Sequence, residues 1–332
     1  MNKYLLETLT AEVVLAMISC SQALATTIVA SSETTGKKCG DNCTWTLDSD
    51  GNLTVSGTGA MYDYNNRSES TQTPWWGLKE SIKNITVENG ITTLGIYAFH
   101  KTNAVDISIP PSVTTAKYGF VETAKIKNLV IPDTVTSLGG AFCHNCPDLE
   151  TVYISENVTQ MEGYSFHLLS PKSGVVVIPP NATFSGYMGG IESIKTYCTA
   201  AQMSTCGTNS VEYEKKGDLF YVYDSDGNIT EIFGGFDNFN NNVIREPGER
   251  DTYEIGEDGS VTTLDKNGNI IGKYSSAGAL ISKYSYGADG AVYTYDGKNK
   301  LIGLKKNGPF TPAEAAALVK KGNNNTVTLT FK

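Results

Sequence analysis

Three groups of residues in this chain have the types and spacing that could carry chemistry. Cys143-His144-Asn145-Cys146 holds two thiols three places apart, the arrangement of a redox pair or of half a zinc site. A redox pair needs its first thiol at a helix N-terminus that depresses the thiol pKa, and zinc needs two further ligands. The pair falls in a turn of the surrounding pattern, and His100 and His167 have no companion spacing, so a structural disulfide or free thiols are expected. Asp48-Ser49-Asp50-Gly51-Asn52 resembles the front of a calcium loop. The glutamate that closes such a loop is missing at the required distance, and Asp-Gly between two short β runs reads as a hairpin turn. Tyr62, Tyr64, Trp75 and Trp76 could stack on a sugar ring, and they could equally close the open end of a repeat array.

Nothing completes a catalytic constellation. The chain has 3 histidines, placed in different repeats. It has no Gly-x-Ser-x-Gly and no Gly-rich phosphate loop ahead of a helix. No catalytic residue, cofactor or metal ligand is therefore expected, and the chain reads as a non-enzyme.

The elements that position these residues come from a repeat. Ile82, Ile85, Val87, Ile91, Leu94, Ala98 and Phe99 form an apolar pattern that restarts at Ala104, Ile126 and Leu149 and ends on Phe120, Phe142 and Phe166. The starts lie 22, 22 and 23 residues apart, a period that signals a solenoid. Pairs such as Ile85/Val87 alternate like one face of a short strand. Pro110 and Pro132 then end the strand, because proline cannot donate to a ladder. A fifth, decayed repeat runs through Val176, Ile178, Pro179, Phe184 and Met188, and Ile191, Ile194 and Tyr197 suit a last strand. One coil cannot bury its own apolar face, so stacking must do it.

Within this pattern the chain resembles BspA-like proteins with type-5 leucine-rich repeats. The resemblance rests on Cys39-Gly40-Asp41, Trp45-Thr46-Leu47, Gly57-Thr58-Gly59-x-Met61-Tyr62-x-Tyr64, Pro74-Trp75, and the Val/Ile-x-Ile-Pro, Val-x-x-Leu and Ala-Phe signatures over roughly residues 39–198. It departs at Ala116, at Gly119 and in the fifth repeat, which lacks Ala-Phe. The resemblance implies a secreted or surface scaffold that binds other macromolecules, often on a host, without enzyme activity.

Composition agrees with a mainly β chain: 33 glycines, 18 tyrosines and 18% charged residues. A net charge of −9 without a basic patch speaks against nucleic acid as a partner. Lys3, an apolar run over Val13 to Ser19 and Ala23-Leu24-Ala25 read as a signal peptide over 1–25, with secretion or surface display to follow. The alternative of a lipid-modified Cys20 meets a poor match in Met17-Ile18-Ser19. No later run reaches the ~20 apolar residues that span a bilayer.

The expected organisation is a signal peptide at 1–25, a flexible leader at 26–38 and a hairpin and aromatic cap at 39–81. A leucine-rich-repeat solenoid of about five units follows over 82–206, closed by Cys198 and Cys206. Residues 207–308 read as a small antiparallel meander that loosely resembles YD repeats (Tyr223-Asp224, Tyr295-Asp296), with 234–251 as a loop or linker. Residues 309–332 read as a helix from the Thr311-Pro312-Ala313-Glu314 capping box and a closing strand. Cys39/Cys43, Cys143/Cys146 and Cys198/Cys206 are candidate disulfides of an exported chain.

Function is expected on the residues between the inward pairs, Thr86, Ser108, Val130, Tyr153 and Val177. Val130, Tyr153 and Val177 should form an exposed apolar strip that contacts a protein or other extracellular macromolecule. A glycan module built on Tyr62, Tyr64, Trp75 and Trp76, or a purely structural envelope role, are the alternatives.

Overall fold

The computed structural model describes residues 26–65, 71–165, 174–186, 194–206, 209–288 and 290–305. The expected signal peptide, the C-terminal helix and strand, and Phe166, Met188 and Ile191 lie outside them.

Each repeat gives one strand to each of two parallel ladders. In the first, Asn52–Gly57 pairs with Asn84–Val87, which pairs with Asp106–Ser108, so that Leu53, Ile85 and Ile107 lie in one row. Asn128–Ile131 then pairs with Thr151–Ile154, and Val175–Val177 with Lys195–Thr199. The second ladder is built from shorter strands, and Leu94, Ala116, Leu138, Met161 and Phe184 stand in register along it. Between the two ladders runs one continuous core from Ala30 to Cys206. The strand-ending prolines do as expected: Val113 N–H donates to Pro110 at 3.1 Å and Val135 N–H to Pro132 at 3.0 Å, closing a turn that aims the chain at the second ladder.

The return arm shows a periodicity that the apolar pattern hides. Tyr97, Gly119, Ala141, Tyr164 and Gly186 all have positive φ, between 50° and 87°. Most of these residues are not glycine, so the stacked coils must hold a conformation that side chains adopt rarely. Gly119 is fixed by its neighbour, since a Cβ there would meet the Tyr97 ring at 2.6 Å. Backbone hydrogen bonds run between coils along this arm, Phe99 N–H to Phe120 O at 2.7 Å and Val121 N–H to Phe142 O at 3.1 Å. Counted from the left-handed residue, Phe120 and Phe142 lie in line with Ala98, and Val121 and Cys143 in line with Phe99. The sequence alignment of Phe99 with Phe120 and Phe142 is therefore one residue out, and all of these side chains are fully buried.

The two ends differ from expectation. Residues 26–38 are not a flexible leader. Ile28–Ser31 pairs antiparallel with Cys43–Asp48, and Ser31 caps the short helix Ser32–Thr35 with a reciprocal capping box. Trp45 Nε1 donates to Lys37 O at 2.8 Å. The segment thus covers the hairpin edge that the sequence leaves bare. At the far end the Cys198–Cys206 bridge does not close the array. Lys195–Thr199 pairs parallel with Ser210–Lys216, and the sheet turns antiparallel through Leu219–Tyr223 and Ile229–Gly234.

Residues 234–251 are not a loop either. Phe236–Val243 is a helix that buries Phe236, Phe239 and Val243 against Val175, Val177, Tyr197, Tyr213, Phe220 and Phe233. The i, i+3, i+7 spacing of its apolar residues was readable, but Asn238, Asn240, Asn241 and Asn242, weak helix formers, obscured it. Six strands from Thr252–Ile255 to Leu301–Lys305 follow as an antiparallel meander. In its turns Asp265 and Asp296 each accept from the backbone N–H groups two and four places on, as Asp48 does in the first hairpin. The Asp48 carboxylate is therefore spent on its own turn.

Phe239 is fully buried, with the Tyr213 and Phe220 ring centroids 5.0 and 5.2 Å from its own. Phe239→Ala is expected to cost about 3–5 kcal/mol, read as a lowered midpoint in urea denaturation followed by circular dichroism.

Candidate functional site

Along the first ladder the outward row changes character. Thr86 and Ser108 are exposed, Val130 is 55% exposed, Tyr153 is half-buried and Val177 is 1% exposed. The expected strip of Val130, Tyr153 and Val177 is therefore not an open surface. The Phe236–Val243 helix lies over its distal part, where Val177 joins the second core and Tyr153 packs against it. The Tyr153 hydroxyl donates to Asp237 Oδ1 on that helix, and its ring meets Phe236 edge-on at 6.2 Å. Burial first, and then the Asp237 carboxylate, push the Tyr153 phenol well above its usual range.

Where the helix stops covering the row, a groove of about 460 Å³ remains, with Val130, Pro132, Tyr153, Asn240, Asn241 and Ile244 in its walls. Asp133, Asp237 and Asn241 are shared with a larger cleft of about 670 Å³ that reaches the meander at Tyr274, Lys283 and Tyr284. Carboxylates outnumber cations around this space: Asp133, Glu156, Asp218 and Asp237 against Lys283. Glu156 already meets Lys215 Nζ at 2.8 Å.

The aromatic residues near the N-terminus do not make a common sugar platform. Trp75 is 1% exposed and sits between Trp45, edge-on at 5.7 Å, and Phe99, stacked at 5.8 Å. Tyr64 is buried with its hydroxyl 3.3 Å from Cys39 O. Only Tyr62 is exposed, its hydroxyl donating to Asp41 at 2.7 Å, while the half-buried Trp76 stacks on His100.

Of the six candidate disulfide cysteines, Cys143–Cys146 and Cys198–Cys206 are bridged. Cys39 and Cys43 are free and buried, which corrects the third expected pair. Burial, with Cys43 beside it, pushes the Cys39 thiol up to about 12, so it is no nucleophile at neutral pH. Among the described residues no group of three His, Cys, Asp or Glu side chains could hold a metal ion.

One cluster escaped the sequence reading. His100, Glu122 and His144 occupy the same place in successive coils, 22 residues apart, and His167 follows 23 residues on, outside the described residues. Glu122 stands between the two imidazoles: His144 Nδ1 donates to Oε1 at 3.0 Å, and His100 Nδ1 lies 3.9 Å from Oε2. Those last two atoms are buried without a hydrogen-bond partner. The repeat period itself was the signal, and it was missed because each histidine was weighed alone.

Two parallel ladders joined by a buried return arm, with an outward row of variable residues, define a leucine-rich-repeat solenoid. Residues 78–186 match the family described as BspA type Leucine rich repeat region, in six copies, and this stretch is such a repeat region. No curated protein matches the chain. Among solved structures it is similar to a leucine-rich repeat protein from Eubacterium ventriosum, at 18% identity over 49% of this chain and 71% of that one, TM-score 0.20. A leucine rich cell surface protein from Faecalibacterium prausnitzii matches at 15% identity over 64% of this chain and 61% of that one, TM-score 0.26. The pneumococcal vaccine antigen PcpA matches at 10% identity over 56% of this chain and 53% of that one, TM-score 0.30. These likenesses concern the fold.

The histidine cluster yields a pH dependence. Burial holds the His100 imidazole below its usual range, against the pull of Glu122 and aided by Lys101 and His144. The unfolded chain then takes up the His100 proton more readily, near pH ~6.5. This contribution is complete above that pH and is lost as pH falls through the depressed folded value. The melting temperature, followed by differential scanning fluorimetry, should fall between pH 7 and pH 5, and His100→Gln should flatten that fall.

Proposed function

We propose that this chain is a non-catalytic, protein-binding scaffold displayed or secreted outside the cell. The reading is supported by the repeat region and by the outward row on its first ladder, the face that a solenoid offers to partners. The observation that carries it is Val130: an apolar side chain, 55% exposed, at the mouth of a walled groove and preceded in its row by Thr86 and Ser108. An exposed apolar residue beside a preformed groove gains free energy when a partner covers it. Export fits the two bridged cysteine pairs. Adhesion to host macromolecules belongs to the same proposal, with the protein named above as a leucine rich cell surface protein as the parallel.

Val130→Glu places a charge where a partner must desolvate it, while leaving an already exposed position folded, within about 0.5 kcal/mol of the parent. Full-length protein immobilised on a sensor surface should retain a partner from surface extracts that the variant, with an unchanged melting temperature, does not. Equal retention by both would remove the groove from the binding face.

A further inference from the structure

Asn240 is 5% exposed and lines the groove beside Val130 and Ile244. Its amide makes no hydrogen bond, in contrast to Asn242 on the same helix, whose side chain is tied to Asn238 and Asp251. A buried amide left unpaired costs free energy until a donor and an acceptor are brought to it. A main-chain peptide group offers both together. The apolar neighbours Val130, Pro132 and Ile244 suit one aliphatic side chain of such a segment.

The rim of the groove sets the charge of the segment. Asp133 Oδ1 accepts from Ser155 Oγ at 2.7 Å, and Asp237 Oδ1 accepts from the Tyr153 hydroxyl. The second oxygen of each carboxylate is unengaged, and neither residue is in an ion pair among the described residues. Asp133 and Asp237 are both exposed, at the opening shared by groove and cleft. A sugar would need an open aromatic face, and the Tyr153 ring is held edge-on to Phe236 with its hydroxyl occupied.

We propose that the groove between the Asn128–Ile131 strand and the Phe236–Val243 helix receives an extended, basic segment of a partner protein. Asn240 pairs with the main-chain amide, an aliphatic side chain covers Val130 and Ile244, and an adjacent lysine or arginine sits between Asp133 and Asp237. The proposal rests on the protein-binding reading above and assigns that site its partner chemistry.

The test uses the full chain and fluorescence anisotropy with three sets of synthetic ten-residue peptides. One set carries an aliphatic residue next to Lys or Arg, a matched set has Glu in place of the cation, and a third is uncharged. A glycan panel runs alongside. The basic set should bind alone, more weakly as salt rises, and Asn240→Leu and Asp133→Asn should each lower affinity by about tenfold. Asp133 is exposed, so its variant keeps the test valid should Asn240→Leu fail to fold. Binding by the acidic or uncharged set, binding of glycans instead, no binding by the basic set, or unchanged affinity in the folded variants would each overturn the proposal. If Val130→Glu abolishes partner capture while Asp133→Asn and a folded Asn240→Leu leave it intact, protein binding stands and the basic-segment assignment falls.

Discussion

No coil of this solenoid satisfies its own backbone. Peptide groups pair with the coil before and the coil after, in the two ladders and again along the return arm, where Phe99 reaches Phe120 and Val121 reaches Phe142. A buried peptide group must be paired, so the stacking dictates everything else about the repeat. It sets the 22-residue length and admits left-handed residues as different as Tyr97, Gly119 and Ala141. It also slides the buried phenylalanines by one place without opening a gap, because Ala98-Phe99 and Phe120-Val121 fill the same two rows with different divisions of volume.

The same constraint makes the ends expensive. At the N-terminal end the hairpin supplies the missing strand and Trp45 and Trp75 supply the missing coil, which is why the aromatic residues there are core and not a binding platform. The strand at Ile28–Ser31 then covers the remaining edge. At the other end the parallel ladder is continued by Ser210–Lys216 and handed to antiparallel strands whose partners are close in sequence. The edge is thus carried away from the solenoid and not closed by a disulfide.

Function follows from how that second closure was made. The Phe236–Val243 helix buries an aromatic face on the distal ladder and covers Val177 and part of Tyr153. Its polar residues are left over the proximal ladder, facing Val130. A cap and a binding wall are the same element here, and the Tyr153–Asp237 hydrogen bond fastens it to the repeats. Binding at the groove and stability of the junction are therefore coupled, since both draw on the same helix.

The repeats were legible because a 22-residue period of buried Ile, Leu and Val is a local signal restated coil after coil. Proline at 110 and 132 and the Asp-Gly turns were legible for the same reason, since each fixes a dihedral where it stands. The sequence by itself thus determined the solenoid, its two ladders and the hairpin turns. Only the tertiary structure decided which outward residues stay outward, because that depends on the Phe236–Val243 helix, more than 50 residues beyond Val177 in the chain. It likewise joined His100, Glu122 and His144, which are neighbours only once the coils stack. Short-range chemistry writes the coil, and contacts between residues far apart in the chain choose its exposed face.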